Sequence, residues 1–231
     1  RFFDMVQLWA AGRNIVIRLI KIGNPKIILM ISFSIICAFA PITISKDMEP
    51  LKNRVFSETE SLMPILNNIA TRLWEYSEIA LEETRSARLL INQLRQAGFF
   101  IEEGVAQMPT AFIATYGSGS PVIGVLAEYD ALPGIGNEPV PERKLRSDEV
   151  KSGHGCGHNL FAAASVTGAI AIKNIMKMEN LSGTVKLYGT PAEETVVGKV
   201  TMAKAGLFDG LDACIDWHPS NKNKVKNHTG R

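Results

Sequence analysis

The feature that most constrains the fold is an alternation of strand-like and helix-like segments over the second half of the chain. Short apolar runs at residues 110–116, 122–127 and 184–188 predict strands. An Ala-rich stretch at residues 160–176 and a shorter stretch at residues 197–205 predict helices. Strands that alternate with helices form a sheet that helices cover on both faces, with functional loops at the strand ends. We therefore predict an α/β domain.

Two amphipathic helices are predicted before these strands. Apolar residues recur there at spacings of three and four: Leu62, Ile65, Leu66, Ile69, Leu73 and Trp74, then Ala87, Leu90, Ile91 and Leu94. The second helix should end at Gly98, because glycine commonly terminates helices. Further strands are predicted at residues 99–102 and 211–217. The second of these strands would place Cys214 in the core.

Composition excludes several classes of protein. An apolar fraction of 46% with 21% charged residues supports a folded core and argues against disorder. The 25 Lys and Arg residues barely outnumber the 23 Asp and Glu residues and are spread along the chain, which gives no footprint for nucleic acid. The cysteines, Cys37, Cys156 and Cys214, are too few and too scattered for a disulfide framework.

An apolar segment at residues 27–40 predicts a targeting sequence. It follows several basic residues and ends in the small-residue pattern Ala38-Phe39-Ala40. Its roughly 14 residues are fewer than the ~20 that cross a bilayer as a helix, which favours a secretory signal peptide. An uncleaved membrane anchor and a cytoplasmic N-terminus are the alternatives. We expect residues 1–47 to form the signal peptide or anchor region, and the protein to be exported, whether periplasmic or extracellular, or membrane-anchored.

A glycine-rich run closes an unusually long Pro/Gly-rich loop at residues 132–157. This run, residues 153–159, contains His154, Cys156 and His158. Cysteine and histidine are good ligands for soft metals, and the glycines let the backbone bring such side chains together. Taken alone, the run also fits a structural turn or a Cys–His nucleophilic pair.

Two further candidate clusters follow predicted strands. Glu193 and Glu194 come directly after an apolar strand, where adjacent carboxylates repel each other. A metal ion removes that objection, because one carboxylate can bind the ion while the other accepts a proton from water. The alternative is an acidic pair favoured by a helix dipole. His218 ends another predicted strand, and the combination of all three clusters favours a metal centre.

Four motifs, in order, resemble the aminoacylase and auxin-conjugate hydrolase branch of the dinuclear metallopeptidases. They are Glu128-Tyr129-Asp130-Ala131-Leu132-Pro133, Gly155-Cys156-Gly157-His158-Asn159, Pro191-Ala192-Glu193-Glu194 and Trp217-His218-Pro219. Within that branch the motifs most resemble the aminobenzoyl-glutamate hydrolases. The resemblance covers residues 62–220. It implies a mixed sheet covered by helices on both faces, as in a zinc-exopeptidase-like catalytic domain.

The resemblance also implies a role for each motif residue. Two divalent ions, Zn²⁺ or Mn²⁺, would be bound by Cys156 as a bridging thiolate and by His158, Glu194 and His218. Glu193 would be the general base and acid. Asp130 would lie near the metals and hold a ligand in place. Glu128 stands where related branches carry a metal-binding histidine, and it has no assigned role.

The implied reaction is hydrolysis of the amide bond in acylated or aminobenzoyl amino acids that carry a carboxylate. The family's last metal-binding histidine and a lid domain with dimer contacts lie downstream of the matched region. We therefore expect residues 48–220 to be the N-terminal part of the catalytic domain and residues 221–231 to begin the connection to the lid. The full-length protein is expected to be a homodimer or hetero-oligomer, with this chain alone inactive. The alternatives are a catalytically incomplete fragment that binds only metal or a partner, and a hydrolase with Cys156 as nucleophile.

Overall fold

The computed structural model describes residues 7–10, 13–16 and 48–220. The chain divides into two units, Arg1–Met48 and Glu49–Arg231. In the first unit, strands β1 (Gln7–Ala10) and β2 (Arg13–Val16) form an antiparallel pair. The predicted targeting segment and the predicted connection to a lid lie outside the described residues.

The remaining elements run from Met48 to the end of the described chain. Three helices come first, and then strands with two more helices: α1 (Met48–Ser61), α2 (Met63–Tyr76), α3 (Thr84–Gln96), β3 (Phe100–Glu103), β4 (Phe112–Ser118), β5 (Val122–Ala127), α4 (His158–Met178), β6 (Gly183–Gly189), α5 (Gly198–Lys204) and β7 (Ala213–Ile215). Two 3₁₀ turns, Val105–Gln107 and Glu193–Thr195, complete the set.

Five strands form one mixed sheet in the order β3-β4-β6-β5-β7. Strand β4 pairs antiparallel with both β3 and β6, whereas β5 pairs parallel with β6 and with β7. Helix α4 is the crossover between β5 and β6. The carboxyl ends of the three parallel strands therefore meet at one edge of the sheet, where ligand sites form in such folds.

Helices α2, α3 and α4 cover one face of the sheet. Their apolar stripes bury Leu73, Leu90 and Val166 completely against strand residues such as Leu187. Each such side chain contributes about 1.5–3 kcal/mol relative to an exposed position. A smaller cluster around Tyr188 and Met202 packs α5 on the opposite face, so the predicted covering of both faces is confirmed.

Most predicted elements occur within two or three residues of their predicted bounds, but the last strand differs. The strand predicted at residues 211–217 is only Ala213–Ile215 long, and Cys214, expected in the core, is exposed. The reason is topological: within the part of the chain that the structure describes, β7 is the outermost strand and pairs only with β5.

Helix α4 is the only described helix long and apolar enough to cross a membrane. Over half of its apolar window, 56%, is buried inside the fold. Its small residues Ala162, Ala163 and Ala169 are fully buried, which allows close packing. These properties are those of a central core helix.

Candidate metal centre

The predicted site residues converge at the carboxyl edge of the parallel strands. Glu128 and Asp130 follow β5, and Glu194 follows β6. His218 follows β7, and His158 is the first residue of α4. The parallel topology thus brings together residues that are up to 90 positions apart in the sequence. The structure agrees with the arrangement that the motifs predicted, while the role of each residue stays a prediction.

His158 lies at the centre of the site and is completely buried. Its Nδ1 is 3.0 Å from Asp130 Oδ1. This contact turns Nε2 toward the remaining acids: it is 3.1 Å from Glu128 Oε2, 3.9 Å from Glu193 Oε2 and 4.0 Å from Glu194 Oε1. None of these contacts has the geometry of a hydrogen bond, so Nε2 has no partner among the described residues.

Asp130 connects two parts of the site. Besides the contact of Oδ1 with His158, its Oδ2 accepts a 2.9 Å hydrogen bond from the backbone N–H of Glu194. One buried carboxylate therefore orients both the imidazole and the turn that carries the second acid. A carboxylate bonded to a histidine in this way fixes the ring orientation and tautomer of metal-binding histidines.

Cys156 and His218 form the outer part of the site. Cys156 Sγ is 3.1 Å from His218 Nε2, and the His158 and His218 rings are 5.8 Å apart and nearly perpendicular. One ligand atom each from Cys156, His158 and His218 lies within 4.8 Å of the others. A Cβ on Gly157 would lie 2.9 Å from Pro219 Cγ, so this close approach of the two motifs requires glycine.

The two adjacent glutamates occupy different environments. Their turn begins at Ala192, whose φ of 55° is left-handed, and continues as a 3₁₀ turn. The side chain of Glu193 is 33% exposed. That of Glu194 is 20% exposed, and its Oε1 is buried with no hydrogen-bond partner in the described ranges. Glu194 thus has a buried, unsatisfied oxygen, and Glu193 is the more exposed of the two.

The pKa shifts follow from this crowding of charges. Burial lowers the pKa of His158, but Asp130 and Glu128 outweigh it and raise the pKa to about 11. Burial raises the pKa of Glu128, but His158 and Lys199 outweigh it and hold the pKa below its usual value. Burial is the main cause of the raised pKa of the Cys156 thiol, to which Glu194 adds. The site is therefore rich in carboxylates, whose charge favours a bound cation.

Sequence reasoning overlooked three buried or partly buried residues that shape the site. Glu83 is fully buried and accepts hydrogen bonds from the backbone N–H of Ala192 at 2.8 Å and from Thr110 Oγ1 at 3.1 Å. It therefore fixes the turn before Glu193. Lys199, on α5, forms an ion pair with Glu128. No local pattern marks either residue as part of the site.

The third residue, Arg146, anchors the long loop. It donates to the carbonyls of Trp74 at 2.6 Å and Glu75 at 3.1 Å, and its guanidinium lies 4.1 Å from the centre of the Trp74 ring. These contacts satisfy free carbonyls at the end of α2. His154 belongs to this anchoring and not to the metal site, because its Nε2 bonds to Leu73 O at 3.0 Å. Burial lowers its pKa to about 4.

Comparisons with known proteins show what the sequence resembles. Residues 124–229 match the model of peptidase family M20/M25/M40. The chain is 41% identical to one component of the p-aminobenzoyl-glutamate hydrolase of Escherichia coli over 152 residues, which is 66% of this chain and 32% of that protein. The chain is therefore similar to members of peptidase family M20/M25/M40. It is also 31% identical to the human Xaa-Arg dipeptidase, over 77% of this chain and 40% of that one.

A solved structure of the M20 family is similar in fold. The crystal structure of a dinuclear metal-binding M20 peptidase from Bacillus subtilis superposes with a TM-score of 0.57 at 26% identity, covering 67% of this chain and 42% of that one. The chain spans about a third to two fifths of the length of the curated relatives it matches.

Proposed function

We propose that the full-length protein hydrolyses the amide bond of acylated or aminobenzoyl amino acids at a centre of two divalent metal ions. The observation that carries the proposal is a pair of buried ligand atoms, His158 Nε2 and Glu194 Oε1, which lie 4.0 Å apart and have no hydrogen-bond partner within the described residues. An unsatisfied buried polar group costs about 1–3 kcal/mol. A bound cation would offset that cost for both atoms at once.

The donor set fits such ions. Cys156, His158, Glu194 and His218 would hold them, in the roles that the family resemblance implies. Thiolate and imidazole donors suit Zn²⁺, and the carboxylates also admit Mn²⁺. When bound, the ions would polarise the substrate carbonyl and lower the pKa of the attacking water toward neutrality.

The chain's own residues supply orientation and proton transfer. Glu193 is partly exposed, and its carboxylate lies 3.9 Å from His158 Nε2. It would take a proton from the attacking water and deliver that proton to the leaving amine, so the carboxylate is regenerated when the amide bond breaks. Asp130 holds His158 and the Glu194 turn in place through its two oxygens.

A Cys–His hydrolase is the rival mechanism, favoured by the 3.1 Å contact between Cys156 and His218. The raised pKa of the Cys156 thiol weighs against it, because the nucleophile of such enzymes is a thiolate with a lowered pKa. A metal ligand faces no such objection, since the metal itself displaces the thiol proton.

The names of the relatives support the substrate class and suggest an assembly. The Escherichia coli relative is named as one component of a hydrolase that acts on p-aminobenzoyl-glutamate. For the full-length protein we propose a substrate with a terminal carboxylate and an assembly that is a homodimer or a hetero-oligomer.

We also propose that residues 27–40 direct export or anchor the protein in a membrane, with a cytoplasmic location as the alternative. N-terminal sequencing of mature protein tests cleavage after Ala40.

The decisive experiment measures metal content and amide hydrolysis together in the full-length protein. We expect about two bound ions, hydrolysis of p-aminobenzoyl-glutamate or an N-benzoyl amino acid, and loss of activity with a chelator that returns on adding Zn²⁺ or Mn²⁺. Activity that survives chelation but is lost on thiol alkylation would establish the Cys–His mechanism. Bound metal without hydrolysis of any of these amides would show that the protein is only a metal-binding module.

A further inference from the structure

Two sets of side chains compete for one nitrogen of His158. One set is Cys156, His158 and His218, and the other is Glu128, His158 and Glu193; in each, the ligand atoms lie within 4.8 Å of one another. Because Nδ1 of His158 contacts Asp130, only Nε2 is available to a metal ion. The two sets therefore cannot bind separate ions through His158 at the same time.

The second set has the chemistry of a metal site in its own right. Glu128 Oε2 lies 3.1 Å from His158 Nε2, and the side chain of Glu128 is only 5% exposed. Imidazole nitrogen and carboxylate oxygen are both ligands of divalent ions. An ion captured there would also consume Glu193, which could then no longer accept a proton.

A lysine already lies against both carboxylates of this second set. The Nζ of Lys199 forms an ion pair with Glu128 Oε1 and is 3.7 Å from Glu193 Oε1. Lys199 is held on α5, which packs into the core through the fully buried Met202. The ammonium group is therefore a fixed cation at the place where a metal ion would contact Glu128 and Glu193.

We propose that Lys199 is a positioning residue that excludes metal ions from the Glu128–His158–Glu193 set. Its ammonium pairs with Glu128, offsets part of the charge of Glu193 and repels a divalent ion, so His158 Nε2 stays available to the Cys156–His218 set. The freedom of Glu193 to move a proton rests on the proposed function. The exclusion of metal does not, and it can be measured without any substrate.

The test is a titration of the metal-depleted full-length protein with Zn²⁺ against a chromophoric chelator. Lys199→Met removes the charge at similar length, and we expect it to bind Zn²⁺ about tenfold more tightly or to take up an additional ion. Lys199→Arg keeps the charge and should bind as the wild type does. Lys204→Met removes an exposed charge from the same helix and serves as the matched control.

A second pair of variants identifies the ligand responsible. Adding Glu128→Gln to Lys199→Met should abolish the gain in affinity, whereas Glu128→Gln alone, which keeps the Lys199 ammonium, should show no such gain. Unchanged or weaker binding by Lys199→Met would overturn the inference. So would a double variant, Lys199→Met with Glu128→Gln, that keeps the gain in affinity, because Glu128 would then not be the ligand that Lys199 blocks. A wild-type protein that binds metal but cleaves no amide would refute the proposed function. The inference about Lys199 would still be tested by the Zn²⁺ affinities of the variants.

Discussion

Two pairs of adjacent glutamates, each next to a helical turn, differ in whether their buried oxygens are satisfied. In the pair Glu82–Glu83, the buried member has both oxygens bonded, to Thr110 and to the backbone of Ala192. In the pair Glu193–Glu194, the inward oxygen of Glu194 has no partner in residues 48–220. Satisfied buried acids hold structure, whereas an unsatisfied one next to a bare imidazole nitrogen indicates a ligand that binds something else.

The largest effect that this comparison predicts concerns the unsatisfied pair. In the full-length protein, Glu193→Gln should keep its metals and lose activity by ~10²-fold or more, because the base is lost and the ligands remain. Glu194→Gln should lose metal before anything else. Measuring the metal content and the kcat of both variants decides which glutamate is the ligand and which is the base. If Glu193→Gln is depleted of metal while Glu194→Gln keeps its metal but is inactive, then Glu193 is the ligand and Glu194 is the base.

The two described cysteines, Cys156 and Cys214, test which residues belong to the metal site. Cys156→Ser should weaken Zn²⁺ binding by at least about tenfold, since even residues that only support metal ligands cost 10–100-fold when changed. Cys214→Ser is the control, because Cys214 lies exposed on the outermost described strand, β7. The metal content of both purified variants is the measurement, and equal occupancy would remove Cys156 from the site.

The satisfied pair should respond in stability. Glu83→Ala leaves the hydroxyl of Thr110 and the N–H of Ala192 without their buried acceptor, which should lower the free energy of unfolding by about 1–3 kcal/mol. Glu82→Ala removes the exposed neighbour and should change little. Urea unfolding of both metal-depleted variants checks this. Equal stabilities would contradict a structural role for Glu83.

The smallest effect is expected at Glu78, another satisfied acid. Burial raises its pKa, but hydrogen bonds from Ser86 and Arg85 outweigh it and hold the pKa below the ordinary 4.5. Because the folded pKa is the lower one, the stabilisation is present above pH 4.5 and is lost as the pH falls through the folded value.

Glu78→Gln should therefore cost about 1 kcal/mol at pH 7 and nothing in strong acid. Urea unfolding of wild type and variant across this pH range measures the difference, with Glu82→Gln as control. A cost that is independent of pH would show that the carboxylate charge does not matter.

Much of the candidate site follows from local sequence. Strand β5 is a short apolar run and helix α4 is an Ala-rich stretch, and the motifs containing Asp130, His158 and Glu194 lie next to predicted elements, so their convergence at one sheet edge could be predicted. The exposure of Cys214 could not be predicted in the same way. An apolar run reads alike in a central strand and in an outermost one, and only the strand order distinguishes them.

By itself, the sequence determined which residues are chemically able to bind metal and on which elements they lie. Local propensity and side-chain chemistry act over a few residues, so the motifs and their order in the sequence are enough to predict them. Only the tertiary structure decided that Glu83 holds the turn of Ala192 from 109 positions away, that His154 faces Leu73, and that Lys199 lies on Glu128. The physical reason is that hydrogen bonds and ion pairs depend on atoms within about 3 Å of each other, and folding sets those distances between segments that share no local pattern.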